Sequence, residues 1–356
     1  MMKKTLVAVA VAGALSVPAA ANAADVLGKN LQIYGKVHLS LDSVDNGADK
    51  NLSLASNSSR LGFKGQYDVS DSLQGIWQIE SKVVYDNGGK SAFVGRNTFA
   101  GLKGGFGTIA AGYKDTPFKD IRGKFDIFGD TVGDARNLVG TSSSTSTSLD
   151  IRAKNMIEYS SPTVGGLQFN GMYSTAWDAQ SVAGQDNNDY SAMSLNLLYH
   201  TGDLGFYVGW QKAKTGPAGD DVKGTRVAAT YDVGAARIGA MYEKTDGGNN
   251  DAGRINRSAY GVNVAFEMDS DNKIKLQYVK AGESDLAGGN DGGKQYSVGW
   301  DHKLGKATSM YVMYNSLKND PNAVFRIKGG HDTDVYTPAA AGDTVKAFSV
   351  GFIQKF

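Results

Sequence analysis

Hydrophobic alternation with a period of two, sustained along most of the chain, is the feature that most limits what it can fold into. In NLQIYGKVHLSL, Leu31, Ile33, Val37, Leu39 and Leu41 interleave with Gln32, Lys36, His38 and Ser40. RLGFKGQYDV repeats the pattern, setting Leu61, Phe63, Tyr67 and Val69 against Arg60, Lys64, Gln66 and Asp68, and GVNVAFEM, KIKLQYV and QYSVGWDHKL follow it. Successive side chains of a strand point to opposite faces, so each segment has one dry and one wet face. About sixteen such segments of roughly ten residues occur, the length a tilted strand needs to cross a bilayer.

The connectors alternate as well. Tight ones fall at VSDS near 70, GGFG near 105, TVGG near 164, TGDL near 202, VGAA near 234, DSDN near 270 and LGKA near 305. Between them lie longer polar stretches such as DNGADKN, AWDAQSVAGQDNND, GGNNDAGRINR and the segment 318–343. Short turns at one rim and long loops at the other describe an antiparallel up-and-down β-barrel. No linker of changed composition divides the chain, so residues 24–356 read as a single all-β domain. Aromatics recur near segment ends, at Trp77 and Tyr85, Phe99 and Phe106, Phe169 and Tyr173, Phe206 and Trp210, Tyr260 and Phe266. Such rings collect where hydrocarbon meets headgroup. A soluble β-sandwich also alternates and stands as a rival.

The first 23 residues have another character: Lys3 and Lys4, an apolar run from Leu6 to Val17, then Ala21, Asn22, Ala23. This is the layout of a secretory signal, with cleavage expected before Ala24. Its removal takes Lys+Arg from 37 to 35 against 36 acids, a net charge of −1, which argues against a nucleic-acid partner. Cysteine is absent, so an exported chain must rely on its backbone ladder. The mean hydropathy of −0.31 does not argue against a membrane barrel, whose lipid-facing residues are never contiguous. The chain closes on VKAFSVGFIQKF, with Phe348, Val350, Phe352 and Phe356 in one phase. A barrel closes only when its last strand pairs with its first, which demands order up to the last residue.

Several stretches together resemble the Gram-negative general diffusion porins: IYGKVHLSLD, SRLGFKG, RNTFAGLKGGFGT, PFKDIRGKFDIFGDT, KNMIEYSSP and the terminal strand ending in Phe. The resemblance spans the chain. It implies a trimer of sixteen-stranded barrels in the outer membrane of a Gram-negative bacterium, in contact with lipid and lipopolysaccharide. Each barrel would be a water-filled pore for ions and small hydrophilic solutes, without a cofactor. It further implies that Phe356 is read by the barrel-assembly machinery. The third long loop, from about Lys114 to Ser148, is implied to fold inward as a constriction. Matched by position, Lys36, Arg60 and Arg96 fall where the family carries a basic wall cluster, all on the polar phase of their strands, with Arg152 or Lys154 as a further member. Asp126, Asp130 and Asp120 match the facing acids. The loop departs from the family in carrying Lys119, Arg122 and Lys124, which weaken its acidic side.

Two rival functions remain open. A barrel hydrolase would need an imidazole, supplied only by His38, His200, His302 or His331. An adhesin or envelope anchor would use the long loops and need not exclude a pore. GLKGGFGT is followed by a strand pattern, not by the helix a phosphate loop requires. DLAGGNDGG lacks the tandem copies of a calcium repeat. Both read as turns, and GTSSSTSTS reads as a flexible part of the third loop.

Overall fold

The structure, a computed structural model, describes residues 24–25, 30–86, 93–140, 148–177, 187–214, 221–250, 253–285, 288–328 and 335–356. The expected signal segment 1–23, the centre of the Ser/Thr run and His331 lie outside the described residues. The barrel strands are β1 (Gln32–Asp45), β2 in two pieces (Lys50–Ser56 and Arg60–Ser70), β3 (Leu73–Lys82), β4 (Thr98–Gly104), β5 (Gly107–Asp115), β6 (Arg152–Ser160), β7 (Leu167–Ser174) and β8 (Ala192–Thr201). They continue as β9 (Leu204–Lys214), β10 (Asp221–Val233), β11 (Ala236–Asn250), β12 (Gly253–Glu267), β13 (Asn272–Ala281), β14 (Gly293–Lys303), β15 (Thr308–Asn319) and β16 (Thr344–Lys355). Neighbours pair antiparallel throughout, and β16 returns to β1 from Lys346 opposite Asp45 to Lys355 opposite Lys36. The result is a closed barrel of sixteen strands.

Both pieces of β2 pair with β1, and the break between them is a local kink. Ser58 adopts a φ of 54°. The Asn57 N–H donates to the His38 carbonyl at 2.8 Å, and Ser59 Oγ both donates to that carbonyl at 3.1 Å and accepts the His38 N–H at 2.9 Å. All seven tight connectors join adjacent strands. In TVGG, Gly165 and Gly166 both have positive φ, 57° and 82°, the conformation of a two-residue hairpin turn whose twist matches its strands.

Burial decides between a membrane barrel and a sandwich. Along β16, Phe348, Val350 and Phe352 are 49%, 39% and 41% exposed, while Ser349 and Gly351 between them are covered. Around the barrel the covered phase carries Glu80, Gln211, Arg226, Gln277 and Gln295, and the outward phase carries Leu102, Ile157, Val262, Leu276 and Val298. A water-soluble sandwich buries its apolar phase. This molecule does the reverse, as a barrel facing hydrocarbon must, and the sandwich reading is thereby excluded. Phe99 departs from the expected aromatic girdle: it lies opposite Gln78 on the polar phase, with Lys114 Nζ 5.8 Å from its ring centre.

Phe356 completes the closure. Its N–H donates to the Gly35 carbonyl at 3.1 Å and its carbonyl accepts the Gly35 N–H at 2.8 Å. The phenyl ring lies over Gly35, where any Cβ would collide with it at 2.3 Å.

Candidate functional site: the segment between β5 and β6 and the wall opposite

Residues 116–151 join β5 to β6 and open with a helix, α1 (Pro117–Phe125). Its start is encoded locally: the Thr116 side chain caps the first turn by accepting the Lys119 N–H, and Pro117 supplies a preset φ where no N–H is needed. Phe118, Ile121 and Phe125, spaced to share one helical face, are fully buried. They meet glycines on the polar phase of the wall. A Cβ on Gly209 of β9 would meet Ile121 at 2.8 Å, on Gly224 of β10 Phe118 at 2.8 Å, on Gly261 of β12 Phe125 at 2.6 Å, and on Gly299 of β14 the following Phe128 at 2.8 Å. Each glycine makes room for a ring or branched chain on the opposing segment.

Wall amides satisfy the segment's backbone. Asn196 donates to the Pro117 carbonyl at 2.8 Å, Asn263 to that of Phe125 at 2.6 Å, Gln295 to that of Gly133 at 2.8 Å and Gln211 to that of Leu149 at 2.8 Å. Helix-end carbonyls lack intrahelical partners, so the Asn263 contact fixes the end of α1. Arg226 of β10 is completely buried beneath the helix. It bonds Glu243 at 2.6 Å through Nε and Asp150 at 2.7 Å through Nη1, and its guanidinium lies 4.2 Å from the Phe118 ring centre.

The sequence-predicted acids separate into two kinds. Asp130 reaches the opposite wall, where Lys36 Nζ contacts Oδ2 at 2.8 Å, and it also holds Arg136 at 3.2 Å. Burial works to raise its carboxyl, but Lys36, Arg136 and Arg60 together hold it well below the usual carboxylate range. Asp126 corrects the sequence expectation: it does not face the wall cluster. Its carboxylate is covered and accepts from Arg122 at 3.0 Å and from the backbone of Phe128 and Ala135 at 3.0 and 2.9 Å. Asp126 therefore folds the segment. Asp120, in the first turn of α1, has its carboxyl pushed up to about 7 by burial, with Lys114 opposing and Asp115 and Glu158 adding to the shift.

Among the bases, Lys36 and Arg60 sit opposite one another on β1 and β2. Arg96 belongs with them but precedes β4, so the expectation that it lies on a strand phase is also corrected. Arg96 bonds Glu80 at 2.5 Å, and Arg60 approaches the same carboxylate at 3.9 Å. Arg152, at the first residue of β6, pairs with Asp115 at 3.1 Å and donates to Asn97 at 2.7 Å. The loop bases meet local acids: Arg122 is shared among Asp126, Asp134 and Asp150, and Lys119 bonds Asp115 at 2.6 Å.

Sequence reasoning passed over Glu80, Asp115, Glu158 and Lys114 on the wall, and Arg136 on the segment. Glu80 follows Gln74 and Gln78 in the polar phase of LQGIWQIESK, so its signal was present. Three of the four strand glycines were equally readable, Gly209, Gly261 and Gly299 each lying between an aliphatic and an aromatic residue, whereas Gly224 stands between Lys223 and Thr225.

A family model described as Gram-negative porin matches residues 7–322. The chain belongs to the Gram-negative porin family. It is an outer-membrane β-barrel channel for ions and small hydrophilic solutes. The outer membrane porin protein 32 of Delftia acidovorans is 26% identical over 369 residues, covering 100% of both chains. The major outer membrane protein P.IB of Neisseria sicca is 26% identical over 360 residues, covering 93% of this chain and 96% of that one. Among solved structures, the anion-selective porin from Comamonas acidovorans superposes with a TM-score of 0.79 at 23% identity, covering 92% of this porin and 99% of that chain.

The histidines of the rival hydrolase reading have structural surroundings. His38 is buried with Nε2 3.0 Å from the Tyr311 hydroxyl, and His302 stacks on Trp300 at 5.5 Å with Nδ1 2.9 Å from Asn272.

Proposed function

We propose that residues 116–140 and 148–151 narrow this porin's channel to an eyelet bordered by Lys36, Arg60, Arg96 and Arg152 on the β1–β6 wall and by the Asp130 and Asp120 carboxylates. The observation that carries the reading is the Lys36–Asp130 contact at 2.8 Å, made by a segment whose other side is held against β8–β14. Two unit charges about 8 Å apart in water interact by roughly 0.5 kcal/mol, so charges in a wide vestibule do little. Low-dielectric walls at a narrow passage focus the field, and ion preference is set there. The cations are partly offset by Glu80, Asp115 and Glu158 beside them, and Arg136 offsets Asp130. The preference is therefore graded, a few-fold.

Reversal potentials across planar bilayers under a salt gradient test this. Asp130→Asn shifts the preference toward anions and Arg60→Gln toward cations. Unchanged reversal in both variants rejects the eyelet.

Three further parts of the reading rest on family membership and the barrel's ends. Residues 1–23 act as a cleaved export signal, three copies form the working assembly, and Phe356 is recognised during barrel assembly. The tight-turn rim carries Phe356 and faces the periplasm; the long connectors face outward. Phe356→Ala is expected to lower the yield of heat-resistant trimer on gels, and wild-type yield rejects a role for Phe356 in assembly.

A further inference from the structure

Apolar side chains on the lumen phase are covered on one half of the wall and partly open on the other. Under the segment, Met241 and Val279 join the buried core with Phe125 and Phe128. On the opposite half, Ile76 of β3 and Phe99 of β4 share the lumen phase and are only half-buried. Phe99 stands opposite Gln78 and Ile76 opposite Gly101, so the two are diagonal neighbours on one face. Phe99 packs against the buried cluster containing Met156 and Met172, which fixes its ring. It also borders a recess of about 230 Å³, lined among others by Gln32, Lys64, Ile76, Gln78 and Lys103.

Cations flank this patch. Lys64 of β2 lies level with Gln78, and Lys103 of β4 lies level with Gln74, so the two stand on either side of β3 at opposite corners. Lys114 Nζ is 5.8 Å from the Phe99 ring centre, and Lys64 Nζ is 5.4 Å from that of Tyr34. The acids on this part of the wall are engaged. Glu80 accepts from Arg96 at 2.5 Å and from the Tyr34 hydroxyl at 2.9 Å, Glu158 pairs with Lys114, and Asp68 accepts from Gln74 at 3.0 Å. Lys103 is exposed and, among the described residues, makes no ion pair. An apolar floor set between cations is a combination that passing simple ions through water does not call for. It matches a solute with one apolar and one anionic part.

We propose that the Ile76–Phe99 recess is a transit subsite for monocyclic aromatic carboxylates, the ring lying on Ile76 and against Phe99 and the carboxylate meeting Lys64 or Lys103. A cavity on the order of 150 Å³ holds one six-membered ring, so the recess takes one ring with its carboxylate and excludes a second. Aromatic pairs gain from offset or edge-to-face geometry beyond simple burial, which favours an aromatic ring over a saturated one against Phe99. Lysine meets a carboxylate as a point charge on a flexible stem, without the bidentate fork of arginine. The ion is therefore held and released, as a conducting site requires. The subsite rests on the channel reading for its role, and it lies between the proposed eyelet and the tight turn after β4.

The test adds sodium benzoate to both sides of a planar bilayer holding the full-length barrel in potassium chloride. Wild type is expected to show a saturable fall in chloride current, with a half-effect concentration at least tenfold lower than that of acetate and at least twofold lower than that of cyclohexanecarboxylate. No saturable fall overturns the subsite, and equal action of cyclohexanecarboxylate overturns its aromatic assignment. Phe99→Ser and K64Q/K103Q are each expected to raise the half-effect concentration at least fivefold, and a wild-type value in either overturns the role given to that group. Should Phe99→Ser fail to fold, Ile76→Thr keeps a branched strand former while wetting the floor; it is expected to raise the value at least threefold, and a wild-type value there overturns the apolar floor. Arg60→Gln is expected to move the reversal potential yet keep the benzoate value within twofold. A larger loss at Arg60 than at Phe99 places the block at the eyelet and overturns the recess. Conductance in potassium chloride alone tests the channel separately.

Discussion

The two halves of the lumen wall follow the same alternation yet carry different side chains. The half under α1, from β8 to β14, presents Asn196, Gly209, Gln211, Gly224, Gly261, Asn263, Gln277, Gln295 and Gly299. The half from β1 to β6 presents Lys36, Arg60, Glu80, Lys114 and Glu158. Glycines and neutral amides receive a docked chain: glycine lets rings approach, and an amide meets a backbone carbonyl without a charge being desolvated. The charged half is touched by the segment through Asp130, and its charges are held largely by one another, Lys114 by Glu158 and Arg96 by Glu80. Dividing one sheet this way builds an anchor and a field from the same strands. Arg226 is one of the charged exceptions on the anchoring half, beside Glu243, Arg257 and Lys275, and it is tolerated because Asp150 and Glu243 both meet it.

Removing that exception is the most severe way to break the division. Arg226→Ala leaves the Glu243 carboxylate buried without its cation and Asp150 with Arg122 alone, a loss expected to cost about 3–5 kcal/mol. Since the strands keep their ladders, the loss falls on the segment. Single-channel records are expected to become noisy, with added larger conductance levels, and quiet wild-type records count against an anchoring role. Filling the anchor comes next. A Gly224→Leu side chain meets Phe118 and Leu149 where a Cβ alone already comes within 2.8 Å. Overpacking of this kind costs about 1–3 kcal/mol, and α1 is expected to become sensitive to protease added from the long-connector side while the barrel stays heat-resistant.

Charges give smaller effects. Asp130→Asn is expected to move ion preference a few-fold, and Asp126→Asn hardly at all, because the Asp126 carboxylate is spent on Arg122 and backbone N–H groups. A larger shift at Asp126 than at Asp130 reverses the two assignments. The smallest effect expected is with pH. The Asp120 carboxyl, raised to about 7 by burial, is ionised at pH 8 and neutral at pH 6. Acidification through that window removes a negative charge, so preference drifts toward anions. Asp120→Asn is expected to abolish the drift, and a drift that persists assigns it to another group.

The strands and turns were legible because lipid and water impose the period directly, and the seven tight connectors carry their own Gly and Asp signals. Asp130 and the Lys36–Arg60 pair were found by position in a resembling pattern. Asp126 was misjudged for a physical reason: FDIFGDT shows two aspartates alike, and which one a backbone turn consumes depends on how 126–135 folds back on itself. Arg122, Lys119 and Lys124 looked like a weakening of the acidic side. Arg122 and Lys119 instead meet Asp134, Asp150 and Asp115, and the base of the segment itself that touches Asp130 is Arg136, beside Lys36 of the wall.

By itself the sequence determined which residues face lipid, how many times the chain crosses and where it turns, because each depends on neighbours one or two positions away. Tertiary structure alone decided which carboxylate meets Lys36 and which glycine receives which ring. Those are meetings between residues up to about a hundred or more positions apart in the chain, such as Asn263 with Phe125, and only closure of the barrel and docking of the segment bring them within contact.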